Sequence, residues 1–320
     1  MDLDQLPDDF FVTLSQFTKT TYRDVYPGVD PTSPALSQKG KVVVITGTSQ
    51  GLGRHAFAQA FAKADAKALV LVARKATELE ATAREVKEVN PNIQVLTQAL
   101  DIRDEDAVKV LFDRIKSEIG TVDVLVNNAG SGKSALPVRD VDPRDFWYDF
   151  VCIPVPSSGI EIADTALKEV NVKGTLLMSQ GFLKLVGKEK PATIINVSSA
   201  GGIAIIPSTS SYSLSKLVQI QIQRFIAAET PNVTAISMHP GTVMTPITKP
   251  QFVKFSKDTY ALAGGVAVWL ATDEAKFMNG RYMGANWAVD ELTERKDEIV
   301  SKGLLLPELQ GKFGKGQFEV

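Results

Sequence analysis

A chain of 320 residues, 44% of them hydrophobic, is long enough to bury the core of one large α/β domain or two small ones. Its 35 lysine and arginine residues nearly balance its 37 aspartate and glutamate residues, which excludes a basic field for nucleic acid and a polybasic patch for a membrane. The single cysteine, Cys152, excludes an internal disulfide and a thiolate-rich metal site and agrees with a reducing compartment. Chemistry on a small molecule is therefore the favoured class of function.

The N-terminal segment, residues 1–38, has no clear helical or strand periodicity. Its acidic start, MDLDQLPDDFF, is the reverse of a secretory signal or a mitochondrial transit peptide, and the longest apolar runs of the chain are far shorter than a membrane span. We therefore expect a cytoplasmic protein with no membrane segment. The segment ends in prolines and serines (DPTSPALSQKG, 30–40) but carries aromatic residues such as Phe11 and Tyr26, so we expect it to pack on the domain as an extension.

From residue 41 onward, strand-like and helix-like patterns alternate. KVVVITG (41–47) is a β-branched run typical of a buried strand, and GLGRHAFAQAFAKA (51–64) has the period of a helix. Later strands are predicted at ALVLVA (68–73), IQVLTQALD (93–101), VDVLVNNAG (122–130), ATIINVSS (192–199) and VTAISMHPG (233–241), and later helices over 76–89, 104–118, 169–186 and 212–229. This order predicts an α/β fold, a doubly wound parallel sheet with helices on both faces.

The first strand runs into a glycine-rich turn, TGTSQGLG (46–53), and then into a helix. Gly47 at the strand end permits a tight turn, while Gly51 and Gly53 allow the backbone to approach a pyrophosphate. The helix N-terminus adds free N–H groups and the positive end of the helix dipole. Three glycines also arise from simple turn-making, but this position between a buried strand and an amphipathic helix favours a dinucleotide site.

The end of the second strand indicates which dinucleotide is bound. A carboxylate there would accept the adenosine ribose hydroxyls and repel a 2′-phosphate, but the strand ends in two cations, Arg74 and Lys75. NADP(H) is therefore preferred, with NAD(H) as the alternative cofactor. In the competing interpretation, both side chains are solvated residues at the start of a helix.

A serine, a tyrosine and a lysine follow in the second half of the chain. Tyr212 and Lys216 are four residues apart at the head of a predicted helix and share one face, so the ammonium favours the phenolate and lowers the phenol pKa from its usual value of about 10. Ser199, at the end of the preceding strand, offers a hydroxyl that would hold the substrate oxygen while hydride arrives from nicotinamide. A tyrosine four residues before a lysine also occurs by chance, so this interpretation depends on the combination.

The order and nearly all the spacings of these motifs resemble those of the short-chain dehydrogenase/reductase family. The motifs are TGxxxGxG (46–53), NNAG (127–130), VNVKG (170–174), Ser199, YSLSK (212–216) and PG (240–241), and the resemblance covers about residues 39–290. It implies a single Rossmann-type domain with a C-terminal tail over residues 291–320. It also implies an NAD(P)-dependent oxidoreductase that acts on CH–OH or C=O groups through a catalytic tetrad of Asn171, Ser199, Tyr212 and Lys216.

The resemblance implies a role for each member of this tetrad. The tyrosine is the general acid or base, and the lysine lowers its pKa and binds the nicotinamide ribose. The serine orients the carbonyl, and the kinked helix that carries the asparagine holds a water linking the lysine to solvent. The resemblance is also compatible with a homodimer or a homotetramer, because relatives dimerise through that helix.

Cofactor contacts are implied by the same resemblance. Leu52 matches the residue whose backbone meets the pyrophosphate, and Asn128 matches a strand-end contact near the ribose. The remaining contacts are Asp101 and Ile102 beside the adenine, and Val243 and Thr245 at the nicotinamide carboxamide. We expect structural roles for His55 and His239, and no metal, because no third ligand accompanies them.

The whole chain is also similar to a group of filamentous-fungal reductases, many of them associated with secondary metabolism. The similarity includes FTKTTYRDVYPGVDPTSPALSQKGK (17–41) and GRYMGANWAVDEL (280–292). It implies a lipophilic carbonyl or alcohol as substrate. Six apolar residues either line the mouth of the site or belong to the core: Ile203, Ile205, Ile206, Met244, Phe252 and Phe255.

One segment departs from the family pattern. Asp142-Pro143 predicts a helix start that in relatives would run on to EVNVKG, but VCIPVPSSGIEIADTALK (151–168) intervenes, and its prolines must break the helix. One hypothesis is a translated, unspliced intron, since a valine codon can begin with GT and a lysine codon can end with AG. The other is a loop at the rim of the active site that shapes substrate choice. If the segment is translated, it displaces the helix of Asn171 and leaves the oligomeric state open.

Two functions from different classes remain at this point. The leading one is an NADP(H)-dependent oxidoreductase that acts on a small-molecule carbonyl or alcohol. The alternative is a catalytically idle NADP(H)-binding sensor with a protein partner, against which the intact Ser199, Tyr212 and Lys216 argue.

Overall fold

The computed structural model describes residues 3–132, 136–147 and 170–311. The predicted insertion, 151–168, with Cys152 lies outside the described residues, as do the last nine residues of the predicted tail (312–320). Within the described part, the helix predicted from Asp142-Pro143 is present over Pro143–Trp147.

A seven-stranded sheet forms the centre of the molecule, and every neighbouring pair of strands is parallel. The strands are β1 (Val42–Thr46), β2 (Ala68–Ala73), β3 (Gln94–Ala99), β4 (Val124–Asn127), β5 (Ala192–Val197), β6 (Val233–His239) and β7 (Tyr282–Gly284). Their order is β3-β2-β1-β4-β5-β6-β7. Strands β2 and β3 are thus added on one side of β1 and strands β4 to β7 on the other, so the strand order reverses between β1 and β4. The prediction of a doubly wound, Rossmann-type parallel sheet in a single domain is confirmed.

The helices within the described residues cover both faces of the sheet and the segments beyond its ends. They are α1 (Phe10–Leu14), α2 (Gln59–Lys63), α3 (Ala76–Val89), α4 (Glu105–Glu118), α5 (Pro143–Trp147), α6 (Thr175–Val186), α7 (Ser210–Glu229), α8 (Tyr260–Leu270), α9 (Val289–Glu294) and α10 (Lys296–Ser301). Two turns of π-helix, Gly53–Ala58 and Val170–Gly174, lead directly into α2 and α6. Both turns stand where the sequence predicts continuous helix.

Burial on both faces explains why the strands are apolar throughout. All five residues of β1 are buried, and successive side chains enter opposite layers. Val43 and Ile45 pack with residues of α2, α3 and α8. Val42 and Val44 pack with residues of α4 and α6 on the other face. A continuous β-branched run therefore has the right chemistry for a central parallel strand.

Several elements, α8 and β7 among them, have no counterpart among the predicted ones. Residues 262–270 of α8 are all buried, so this helix shows no amphipathic period. The edge strand β7 has only three residues, too few for a periodic pattern. Beyond it, Leu292 of α9 and Ile299 of α10 are fully buried in the core.

The N-terminal segment contacts residues that directly follow β7, the last strand in the chain. Thr21 forms an antiparallel bridge with Trp287. The Tyr26 hydroxyl donates to the Trp287 carbonyl oxygen at 3.2 Å and accepts from the Val289 N–H at 2.8 Å. Tyr26 is buried by these contacts and stacks on Tyr22, with ring centroids 3.6 Å apart. None of the helices in the described ranges combines the length and apolar character needed to cross a membrane.

Replacing a buried phenylalanine should destabilise this fold far more than replacing an exposed one. Phe61 of α2 is 0% exposed, whereas Phe225 of α7 is 65% exposed. We expect Phe61→Ala to lower the free energy of unfolding by about 3–5 kcal/mol through lost burial and a cavity. Phe225→Ala, the matched control, should change it by less than about 0.5 kcal/mol. Denaturant unfolding measures both, and equal losses would contradict the exposed position of Phe225.

Candidate active site

The parallel arrangement brings four loops together at one edge of the sheet. These loops follow β1, β4, β5 and β6, and they carry the glycine-rich turn, NNAG, Ser199 and Pro240-Gly241. The reversal of strand order between β1 and β4 separates the helices there and leaves a crevice at the carboxyl ends of the strands. The motifs identified in the sequence therefore converge on one crevice.

Steric limits explain the glycines of the turn after β1. Gly47 has φ of +73°, and a Cβ there would lie 2.9 Å from the Cα of Ala129. A Cβ on Gly53 would lie 2.7 Å from Nδ2 of Asn128 and closer still to the Gly47 carbonyl oxygen. Any larger residue at either position would push the turn away from the end of β4.

Hydrogen bonds lock this turn to the end of β4. Nδ2 of Asn128 donates to the carbonyl oxygens of Thr46 at 2.8 Å and Gly47 at 3.3 Å. The Thr46 hydroxyl oxygen accepts from the backbone N–H groups of Asn128 and Ala129, both at 3.0 Å. The Asn128 side chain thus acts on the turn itself and fixes its shape.

A long groove runs along this edge, from the end of β2 to α7. All the predicted cofactor residues line it except Gly53, which packs behind the turn, and Val243, which lines a neighbouring cavity. Those in the groove are Gly47, Gly51, Leu52, Arg74, Asp101, Ile102, Asn128, Tyr212, Lys216 and Thr245.

Cations surround the acidic residue at the β2 end of the groove. Arg74 is exposed there, and Asp101 forms an ion pair with Arg103, whose Nε lies 2.6 Å from Oδ1. Burial alone would raise the pKa of Asp101, but the hydrogen bonds from Arg103 and the charges of Arg103 and Arg74 outweigh it and lower the pKa. Asp101 is therefore an ionised carboxylate whose charge is compensated.

The predicted tyrosine and lysine lie on one face of α7. The ammonium of Lys216 lies 5.7 Å from the centre of the Tyr212 ring and donates to the Val197 carbonyl oxygen at 2.8 Å. Lys216 is only 4% exposed, so its charge acts in a region largely closed to water. Its bond to the end of β5 holds the head of α7 against the sheet.

A second cavity, here named the apolar cavity, adjoins the groove. Ser199 lines it, and its hydroxyl oxygen accepts from the Gly201 N–H at 3.2 Å. Tyr212 lines both the groove and the apolar cavity. Apolar side chains supply much of the remaining wall, namely Phe11, Ile206, Val243, Ile247 and Phe252.

Asn171 lies in the π-helical turn before α6 and is fully buried. Its Nδ2 donates to the Ser131 carbonyl oxygen and to the Ser215 hydroxyl, both at 2.9 Å, and its Oδ1 accepts from the Ser131 N–H at 2.9 Å. A Cβ built on Gly130 would lie 3.3 Å from this Oδ1 and 3.4 Å from Nζ of Lys216. Asn171 thus lies close to the lysine. It lines neither the groove nor the apolar cavity.

The apolar residues expected near the mouth divide into three groups. Ile206 and Phe252 line the apolar cavity, and Phe255 is buried next to it. Ile203, Ile205 and Met244 are exposed, Ile205 at 92%. Sequence position alone does not separate these groups, because all six residues lie in loops or short helices with no regular period.

Several residues of the apolar cavity, Phe11 and His239 among them, were not anticipated from the sequence. Phe11 comes from the N-terminal segment, and His239, expected to be structural, stands at the end of β6. Burial lowers the pKa of His239 to about 4, so the imidazole is neutral at pH 7, and its Nδ1 has no hydrogen-bond partner among the described residues. In the described ranges, no three His, Cys, Asp or Glu side chains form a cluster that could hold a metal ion.

Comparison with known proteins identifies the family. The short chain dehydrogenase family model matches residues 41–254. Short chain dehydrogenase mpl6 of the filamentous fungus Monascus purpureus is 34% identical over 288 residues, which cover 88% of this chain and 91% of that protein. The expected similarity to fungal proteins of this family is confirmed.

Solved structures share the fold. A gluconate 5-dehydrogenase from Burkholderia cenocepacia, in complex with NADP and tartrate, superposes with a TM-score of 0.65 at 20% identity, covering 80% of this chain and 96% of that one. A 3-ketoacyl-(acyl-carrier-protein) reductase from Brucella melitensis, complexed with NADH, gives 0.64 at 25% identity, covering 78% and 97%. The chain belongs to the short chain dehydrogenase family and is an oxidoreductase that acts on CH–OH or C=O groups.

Proposed function

We propose that this chain is an NADP(H)-dependent oxidoreductase that interconverts the carbonyl and secondary alcohol of a lipophilic small molecule. The observation that carries the proposal is the position of Tyr212 in the wall of both the groove and the apolar cavity. A ketone and its alcohol differ by one hydride on carbon and one proton on oxygen. A proton donor for this reaction must therefore stand where the substrate's cavity meets the cofactor's groove.

The groove has features that fit a nicotinamide dinucleotide. The positive φ angles of Gly47 and Gly51 shape a turn to which a pyrophosphate can approach closely, and Gly53 packs behind this turn where a Cβ would not fit. Asp101 and Ile102 would hold the adenine end, and Lys216 would hold the nicotinamide ribose. When bound, the nicotinamide supplies or accepts the hydride.

The chain's own residues handle the proton and the substrate oxygen. Tyr212 donates a proton to the carbonyl oxygen in reduction and takes one from the hydroxyl in oxidation. The Lys216 ammonium, 5.7 Å from the phenol ring in a closed region, stabilises the phenolate. The Ser199 hydroxyl donates a hydrogen bond to the same substrate oxygen and orients it. Asn171 positions the Ser131 backbone and α7 beside the lysine through its bonds to Ser131 and Ser215.

Charge at the end of β2 supports a preference for NADP(H). Arg74 is exposed at this end of the groove and can contact a 2′-phosphate on the adenosine ribose. Arg54 forms ion pairs with two carboxylates of the neighbouring helix α3. Its Nη1 lies 3.2 Å from Oε2 of Glu78, and its Nη2 lies 2.5 Å from Oε1 of Glu85. The hydrogen bond from Arg54 holds the pKa of Glu85 below its usual range. Repulsion of a phosphate by these acids is therefore reduced.

The walls of the apolar cavity support a lipophilic substrate. Phe11, Ile206, Val243, Ile247 and Phe252 present apolar surface on several sides of Ser199 and Tyr212. The neutral imidazole of His239 adds no charge. Together with the similarity to filamentous-fungal reductases, this lining supports a place in secondary metabolism.

Removing the tyrosine hydroxyl should abolish most of the activity but spare cofactor binding. We expect Tyr212→Phe to reduce turnover of aromatic and aliphatic ketones by about 10²–10⁴-fold, because the proton donor is lost while the ring remains. NADPH consumption measures turnover, and fluorescence titration measures binding.

The control for this experiment is Tyr282→Phe. Tyr282 is buried, and its hydroxyl has no hydrogen-bond partner among the described residues, so this change should leave turnover nearly intact. Full turnover by Tyr212→Phe would assign the proton transfer to another group. Loss of NADPH binding by the same variant would assign Tyr212 a role in binding.

Replacing Arg74 should weaken NADPH selectively. We expect Arg74→Ala to raise the Kd for NADPH by about 10–100-fold, the loss of one or two charge-assisted hydrogen bonds, and to leave the Kd for NADH nearly unchanged. Arg84→Ala is the control, since Arg84 is an exposed arginine of α3 outside the groove. Equal losses for both dinucleotides would refute the assignment of Arg74 to the 2′-phosphate.

A further inference from the structure

The N-terminal segment contributes a side chain to the apolar cavity. Phe11 lies in α1, is 7% exposed, and lines the same cavity as Ser199 and Tyr212. The family model begins at residue 41, so Phe11 lies outside the part of the chain that matches it. Part of the cavity lining, the Phe11 side chain, therefore comes from a segment outside the matched region.

Aromatic contacts hold Phe11 in this position. Its ring packs edge to face on Phe255, with centroids 4.8 Å apart and planes at 81°. It also contacts Phe252, with centroids 5.8 Å apart. Both partners belong to the short 3-10 helix Pro250–Phe255, where Phe252 lines the cavity and Phe255 is 1% exposed. Contacts of this kind favour one orientation of the Phe11 ring.

Two lysines of the same region fasten the residues just before α1. Nζ of Lys254 donates to the carbonyl oxygens of Asp4 at 2.8 Å and Leu6 at 2.9 Å. Nζ of Lys257 lies 2.5 Å from Oδ2 of Asp8. Each exposed contact stabilises the segment only slightly, but the three together fix its register against residues 250–257.

A partly buried ion pair anchors the segment farther along. Nε of Arg23 lies 2.6 Å from Oδ1 of Asp258, and its Nη2 donates to the Phe255 carbonyl oxygen at 2.7 Å. The Asp258 side chain is 0% exposed, and its Oδ2 accepts from the Thr242 N–H at 2.5 Å. A Cβ on Gly241 would lie 2.6 Å from Oδ2, so the carboxylate packs against the Pro240-Gly241 turn of the site. The extension is thus tied to the elements around the cavity both before Phe11 and after it, at Arg23.

We propose that Phe11 is a specificity-determining residue, and that its ring, held in place by the contacts of residues 3–15, forms a wall that limits the size of the apolar group beside the reacting carbonyl. This inference rests on the proposed function, because it assigns Ser199 and Tyr212 to the reacting end of the same cavity. The substrate class that fits this wall is a ketone or secondary alcohol with an aromatic or alicyclic ring, which the Phe11 and Phe252 rings can contact.

Aryl methyl ketones of increasing size, from acetophenone to acetylnaphthalene and acetylanthracene, test the proposal on the full-length chain. We expect Phe11→Ala to raise the ratio of kcat/KM for the largest over the smallest ketone by at least about tenfold, mainly through KM. Phe11→Trp should lower the same ratio. Phe11→Leu, a milder change for the fold, should give an intermediate ratio. Leu14→Ala is the control, since Leu14 lies on the same helix and is 51% exposed.

Calorimetric binding of the same ketones to the enzyme with NADP⁺ gives a second readout that does not need turnover. The Kd values should show the same change in ranking: Phe11→Ala should lower the Kd of the largest ketone relative to that of the smallest, and Phe11→Trp should raise it. An unchanged ranking by both readouts, or no binding of any ketone to the wild-type chain, would overturn the inference. Binding with the expected ranking but without turnover would uphold the wall and overturn the proposed function.

Discussion

The arrangement of this site depends on the burial of a parallel sheet on both faces. The faces of β1, β4 and β5 are covered by helices, so these strands expose no surface to a ligand. Polar side chains that contact a ligand can therefore lie only at the strand ends. Because the strands are parallel, their carboxyl ends all lie at one edge of the sheet. The reversal of strand order between β1 and β4 leaves a crevice at this edge. The cofactor groove, Ser199 and the Pro240-Gly241 turn all follow from this constraint.

Local periodicity was sufficient to predict most of this architecture. Helix α3 was predicted over 76–89 and is observed over Ala76–Val89, because its amphipathic pattern is complete. The π-helical turn Gly53–Ala58 could not be predicted, because it belongs to a helix start whose first glycine packs on Gly47 and Asn128, which are contributed by other elements. Helix α8 had no readable period because it is buried on every side.

The candidate site also contains residues that local sequence patterns predict and residues that they do not. Tyr212 and Lys216 were predicted to share a face because the i, i+4 spacing of a helix requires it, and Ser199 was placed by a strand end. Phe11 could not be placed in the cavity, since Phe252 and Phe255, its neighbours in space, lie far away in sequence and no local pattern encodes the contact. His239 directly precedes the Pro240-Gly241 motif, but a lone histidine there does not distinguish a position in the cavity from one in the core. The sequence thus placed Ser199, Tyr212 and Lys216 near one another, and among the walls of the apolar cavity it indicated Ile206 and Phe252 but not Phe11.

The Arg23–Asp258 pair joins residues that are 235 positions apart. During synthesis Arg23 leaves the ribosome early, but its carboxylate partner is added only when most of the chain has been made. The strands β1 to β4 can pair while synthesis continues, since every partner that they need is already present. The contacts of Phe11 with Phe252 and Phe255, in contrast, form only near the end of translation, so a chain released early holds the glycine-rich turn on β1 without the aromatic side of the apolar cavity.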